Sequence, residues 1–213
     1  MPSEAELERR CGFWRVRLVR DGETVSAIRS VQKGLEPRRV LVLGGARSGK
    51  SERAELRLAG EPEVTYVAAG WGGAGDPEWA ARVAAHRARR PAWWQTAETT
   101  DLAGLLASAG SGTLLIDGIG TWLAAVMDRC DAWDGSPGAA ERLAAETVRV
   151  VRAWRETCHH LVAVSDEVGL SVVPETRAGR LFRDELGHLN QALSRESEMT
   201  EFVVSGRVMP LPL

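Results

Sequence analysis

Apolar positions in this chain follow two rhythms. From Arg39 onward, short unbroken apolar runs (RVLVLGG, EVTYVAAG, TLLIDGI and HLVAVSDE) alternate with stretches in which apolar residues recur every three or four positions. Unbroken runs of this length, bounded by glycine and polar residues, read as strands buried on both faces, with the intervening helices as their cover. The expected fold is α/β, a mainly parallel sheet with helices on both faces. The periodicity predicts helices at about 49–59, 76–90, 99–108, 119–130, 138–157 and 176–195. Asp76-Pro77 opens the second of them as an N-cap followed by proline in the first turn. The closing run EFVVSGRVMPLPL reads as one last strand, ended by Pro210 and Pro212.

Residues 1–36 do not share this pattern. FWRVRLVRDGETVSAIRS reads as two alternating strands around an Asp21-Gly22 turn, so 1–36 is expected to be a β-hairpin extension or a partly ordered leader. Residues 37–213 form the expected catalytic domain, in which the glycine-rich GWGGAGDP at 70–77 reads as a mobile loop.

Composition narrows the partners. A net charge of −2 gives no basic surface for nucleic acid, so small molecules and other copies of the chain are the expected partners. No apolar run reaches the roughly 20 residues that span a bilayer. The start MPSEAELERR is too charged for a secretory signal, and a cytoplasmic address is expected. Cys11, Cys130 and Cys158 are far apart and lack metal-ligand spacing, which suggests reduced thiols. Of 27 basic residues only Lys33 and Lys50 are lysine.

Lys50 stands in the strongest motif. Gly44, Gly45, Ala46, Arg47, Ser48, Gly49, Lys50 and Ser51 match GxxxxGK[ST] between the apolar run VLVL and a predicted helix. Glycines let successive backbone N–H groups turn toward phosphate oxygens, and the helix N-terminus adds its free donors. Lys50 is expected to neutralise the terminal phosphates, and Ser51 to offer its hydroxyl to Mg²⁺. A second acidic ligand should end another buried strand, and Asp117 after TLLI is the best candidate, with an ordinary strand-end turn residue as the lesser alternative.

In the helix predicted at 76–90, Arg82, His86, Arg89 and Arg90 share one face. Guanidinium groups around an imidazole disfavour its protonated form, leaving His86 neutral and able to attack the α-phosphorus of a triphosphate. On this pattern alone a solvated basic helix face, with His86 filling a surface position, is the favoured reading. His159, His160 and His188 lack such company and read as structural.

Five separated blocks carry a resemblance: LVLGGARSGKSERAE at 41–55, YVAAG at 66–70, ARVAAHRARRPAWWQTAE at 81–98, LLIDGIGTWL at 114–123 and EVGLSVVPETRAGRLFRDELGHLNQ at 167–191. Over 39–208 the chain resembles the bifunctional adenosylcobinamide kinase / adenosylcobinamide-phosphate guanylyltransferase family of cobalamin biosynthesis. The resemblance implies a RecA-like P-loop sheet and a homotrimer with corrinoid near subunit boundaries. It implies phosphorylation of adenosylcobinamide by ATP or GTP, then transfer of GMP from GTP to that phosphate, with His86 carrying the GMP covalently. By resemblance the nucleotide contacts are Gly44 to Ser51, Ala68, Ala69 and Gly70, Arg87, Ala88, Arg89 and Arg90, Glu98 and Asp117. Glu98 suits a guanine edge, because a carboxylate accepts paired N–H bonds, though it also reads as a helix-start acid. Asp117 suits either Mg²⁺ or a ribose hydroxyl. Asp166 stands where the family has asparagine, Ser171 where it has glycine, and His188 where it has arginine.

Two other readings use the same P-loop. One is a small-molecule kinase without a covalent nucleotidyl step, in which His86 only lines a phosphate-binding surface. The other is a nucleotide-gated binding module, which rapid phosphorylation of cobinamide would exclude. The eight tryptophans offer apolar area for an oligomer or a corrinoid, and no role attaches to Trp71, Trp93 or Trp94.

Overall fold

Among the described residues, buried runs alternating with amphipathic helices build a seven-stranded sheet in the order β3-β2-β4-β5-β1-β6-β7. The computed structural model describes residues 37–70 and 90–212. The hairpin expected at 1–36, most of the loop expected at 70–77 and nearly all of the helix expected at 76–90 lie outside the described residues. The strands are β1 Arg39–Gly44, β2 Val64–Ala68, β3 Gln95–Glu98, β4 Thr113–Asp117, β5 His160–Asp166, β6 Met199–Val204 and β7 Arg207–Leu211. All neighbours run parallel except β7, which pairs antiparallel with β6. The helices are α1 Lys50–Arg57, α2 Leu102–Leu106, α3 Ile119–Arg129, α4 Ala139–Glu156 and α5 Arg177–Arg195.

The pleat sorts the buried side chains between two cores. Val40, Val42, Tyr66, Leu115, Val162, Val164 and Val203 face Ala54 of α1 and Leu58 just beyond its end. Leu41, Val67, Leu114, Ile116, Leu161 and Ala163 face the other way, against residues of α2 to α5 such as Leu102, Trp122, Trp154 and Leu186. Both deep tryptophans satisfy their indole N–H: Trp122 donates to the Thr100 carbonyl at 2.8 Å and Trp154 to Ser197 Oγ at 3.1 Å. Asp101 caps α2 and Thr176 caps α5, each accepting at 3.1 Å from the backbone N–H three residues on.

Two sequence expectations need correction. The closing run is a hairpin rather than one strand. Ser205 and Gly206 take φ of 50° and 71°, the two left-handed residues that a tight turn between twisted strands requires. Pro210 lies inside β7, which tolerates it because β7 is an edge strand. The second correction is β3, which the sequence pattern did not anticipate. Gln95–Glu98 pairs with β2 through Thr65↔Gln95 to Ala68↔Glu98, so Glu98 ends a strand and does not start a helix.

Candidate nucleotide site

Strand β1 ends at Gly44, and the chain turns through residues 45–49 before α1 begins at Lys50. Arg47 and Gly49 take left-handed backbone conformations, φ 57° and 95°. A Cβ on Gly44 would lie 2.4 Å from Ser48 Oγ and 2.7 Å from the Val203 carbonyl oxygen, so the turn closes only around glycine. The Gly206 N–H donates to the Ser48 carbonyl at 2.8 Å, tying the loop to the β6–β7 turn. Ser48 Oγ is buried and has no hydrogen-bond partner among the described residues. The first N–H groups of α1 open toward this turn, the arrangement that receives phosphate oxygens. Lys50 Nζ donates to the Gly45 carbonyl at 3.2 Å and pairs with Asp166 Oδ1 at 2.8 Å.

Because β1 to β6 run parallel, their C-terminal ends share one edge, where open α/β sheets bind ligands. Register places Gly44 beside Asp166 and Ala68 between Asp117 and Glu98. Pleat alternation puts Asp166, Asp117 and Tyr66 on the face that carries α1, in line with Val164 and Leu115. Tyr66 donates its hydroxyl to Asp117 Oδ2 at 3.0 Å, and the Arg90 guanidinium carbon sits 3.5 Å from the Tyr66 ring centroid. Burial first, and then the Asp117 charge, push the Tyr66 hydroxyl well above its ordinary 10.0, outweighing the opposite pull of Arg90. Tyr66 therefore keeps its proton and acts as donor. The peptide bond from Asp117 to Gly118 is cis.

Behind this edge lies a supporting layer. Ser165 Oγ donates to Asn190 Oδ1 at 2.6 Å, and Asn190 Nδ2 donates to the Asp166 carbonyl at 3.0 Å. Glu201, only 3% exposed, accepts from Arg53 at 2.7 and 2.8 Å and from Arg57 at 2.8 Å, clamping α1 to β6.

Gly44 to Ser51, Ala68 to Gly70, Arg90, Glu98 and Asp117 thus lie at or near one end of the sheet or the loops that leave it. Gly70 comes so close to α3 that a Cβ would lie 2.9 Å from Thr121 Cβ. Glu98 is exposed at the end of β3. His86, Arg87, Ala88 and Arg89 lie outside the described residues. Sequence reasoning gave no role to Tyr66 and treated Asp166 only as a departure from a family pattern. The signal for Asp166 was present, since HLVAVSD ends on an acid just as TLLID does.

The family model described as cobinamide kinase / cobinamide phosphate guanyltransferase matches residues 40–211. The chain belongs to that family. Membership makes it a transferase enzyme of the kinase and guanylyltransferase type. It is 41% identical over 178 residues to the bifunctional adenosylcobalamin biosynthesis protein CobP of Pseudomonas aeruginosa, covering 81% of this chain and 96% of that one. Identity to the bifunctional adenosylcobalamin biosynthesis protein CobU of Salmonella typhimurium is 35% over 183 residues, covering 78% of this chain and 96% of the relative. The protein of the same name from Escherichia coli is 34% identical over 176 residues, with the same coverage of 78% and 96%. No helix among the described residues is long and apolar enough to cross a membrane.

Proposed function

We propose that this enzyme phosphorylates adenosylcobinamide with ATP or GTP, then transfers GMP from GTP to the new phosphate through a covalent intermediate on His86. The observation that carries this reading is the phosphate cradle at Gly44 to Ser51, standing in a family match that spans both the cradle and the histidine segment.

In the kinase step the substrate hydroxyl oxygen attacks the γ-phosphorus. A new P–O bond forms, the bond to the β–γ bridging oxygen breaks, and the nucleoside diphosphate leaves as the hydroxyl loses its proton. The N–H groups at the start of α1 hold the phosphates, and Lys50 balances the charge gathering on the leaving oxygen. In the second reaction a neutral His86 nitrogen attacks the α-phosphorus of GTP, forming a P–N bond and releasing pyrophosphate. A phosphate oxygen of adenosylcobinamide phosphate then attacks the same phosphorus, breaking the P–N bond, regenerating His86 and giving adenosylcobinamide-GDP.

Mg²⁺ supplies charge neutralisation on the phosphates in such reactions. The residues present fit it: the Ser51 hydroxyl in the first turn of α1 and the Asp117 carboxylate, oriented by Tyr66, are hard oxygen donors. Those two would hold it, with phosphate oxygens and water as its other ligands. Glu98, at the strand end beside Ala68, is the candidate acceptor for a guanine edge.

The test is incubation with α-labelled GTP and Mg²⁺ followed by denaturation, with His86→Ala in parallel. The expected outcome is an acid-labile, base-stable label on the wild type that the variant lacks. A folded, GTP-binding wild type that takes no label would leave a P-loop kinase without the nucleotidyl step.

A further inference from the structure

Tyr66 is the only tyrosine in the chain, and it stands in the strand that lies between β3 and β4. Both neighbouring strands pair with β2 across this residue, through Tyr66↔Thr96 and Tyr66↔Leu115. Its backbone is therefore a fixed platform, and the residue is 7% exposed. Two site residues meet on that side chain. The hydroxyl donates to Asp117 Oδ2 at 3.0 Å, and the Arg90 guanidinium stacks over the ring at 3.5 Å. Arg90 follows His86 by four positions in the sequence.

We propose that Tyr66 is a positioning residue that serves both parts of the nucleotide site: its hydroxyl orients the Asp117 carboxylate toward the metal carried by the phosphates, and its ring seats the Arg90 guanidinium. The proposal rests on the nucleotide-handling reading above and deepens it. A carboxylate at the end of a strand can rotate about two side-chain bonds. A buried hydroxyl that donates to one carboxylate oxygen removes that freedom. A long arginine side chain likewise has many conformations, and an aromatic face holds its planar cation in one place. A position that only filled the core would be served equally well by phenylalanine, which makes the hydroxyl the informative atom.

Two measurements of binding to a non-hydrolysable GTP analogue decide the matter, one without metal and one with Mg²⁺. In Tyr66→Phe the metal-free dissociation constant should stay within about twofold of the wild type, while the tightening produced by Mg²⁺ shrinks at least about fivefold. An unchanged Mg²⁺ effect would overturn the role of the hydroxyl. So would an equal loss with and without metal, because that is the mark of a merely structural contact.

The ring is tested by Tyr66→Leu, by Arg90→Met and by their combination, all without metal. If the ring seats Arg90, each single variant weakens binding several-fold and the double variant is no weaker than Arg90→Met. Additive losses would overturn that half. If the leucine protein does not fold, Tyr66→Met takes its place. None of these readouts requires GMP transfer. An unlabelled wild type would therefore count against the covalent reaction alone, and the binding ratios would still decide the role of Tyr66.

Discussion

The Lys50 ammonium lies 2.8 Å from Asp166 Oδ1, so the lysine of the phosphate cradle already has a carboxylate partner on the adjoining strand. A triphosphate entering the cradle competes with Asp166 for this cation and meets a negative charge beside it. Asp166→Asn keeps an oxygen acceptor and removes the charge. Triphosphate binding should tighten about fivefold at low ionic strength, with the gain shrinking as salt screens the repulsion. Titration calorimetry at two salt concentrations checks this, and weaker binding by the variant would show that the carboxylate helps to hold the nucleotide.

Gly44→Ala should severely weaken nucleotide binding, because the added methyl would meet both the Ser48 side chain and the Val203 carbonyl. A methyl added at the neighbouring Gly45 would have nothing within 4 Å of it, so Gly45→Ala is the matched control. An affinity loss of at least about 100-fold is expected for the first and a much smaller one for the second. Similar losses in both would show that space at Gly44 is not what shapes the cradle.

Glu201 is a buried carboxylate held by two arginines of α1. Burial pushes its pKa up, but the hydrogen bonds and charges of Arg53 and Arg57 outweigh that and hold it below its usual 4.5. A depressed folded-state value means that this stabilisation is complete above about 4.5 and is lost as pH falls through the lower folded value. Glu201→Gln should therefore cost about 3 kcal/mol near neutrality in urea unfolding and show a shallower loss of stability on acidification. Parallel acid profiles for the two proteins would contradict it.

Asn190 joins the supporting layer to the site, accepting from Ser165 and donating to the Asp166 carbonyl. Asn190→Leu leaves the fully buried Ser165 hydroxyl without that acceptor and frees the Asp166 backbone. A stability loss of about 2 kcal/mol is expected, together with a lower kcat/KM for the kinase reaction. Thermal unfolding and steady-state kinetics on the same preparation test both parts, and unaltered kinetics would confine Asn190 to a packing role.

The cradle and the central strands were legible because their signals are local and strong: unbroken apolar runs, and glycines at fixed offsets from Lys50. Strand β3 was not, since QTAE has no apolar alternation and three of its four residues are exposed, so its strand character comes from pairing with β2. The closing hairpin carries a readable Ser205-Gly206 turn signal; of the two prolines, Pro212 does follow the end of β7, whereas Pro210 lies inside it. The partners of Lys50 and Tyr66 depend on strand order, which places residues distant in sequence side by side and which no short window of sequence contains. Asp166 could have been marked by the same rule as Asp117, whereas the seating of Arg90 on Tyr66 needed coordinates.

The bond from Gly206 to Ser48 also bears on the order of events at the ribosome. A nascent chain that has exposed β1 and the glycine-rich turn, but has not yet reached Met199, lacks both the β6 strand beside Gly44 and the donor that holds the Ser48 carbonyl. Domains assemble during synthesis, yet contacts between distant stretches must wait for the later partner. The phosphate-binding turn is thus made early among the described parts of the domain, while the strand and the turn that brace it, β6 and Gly206, are made late.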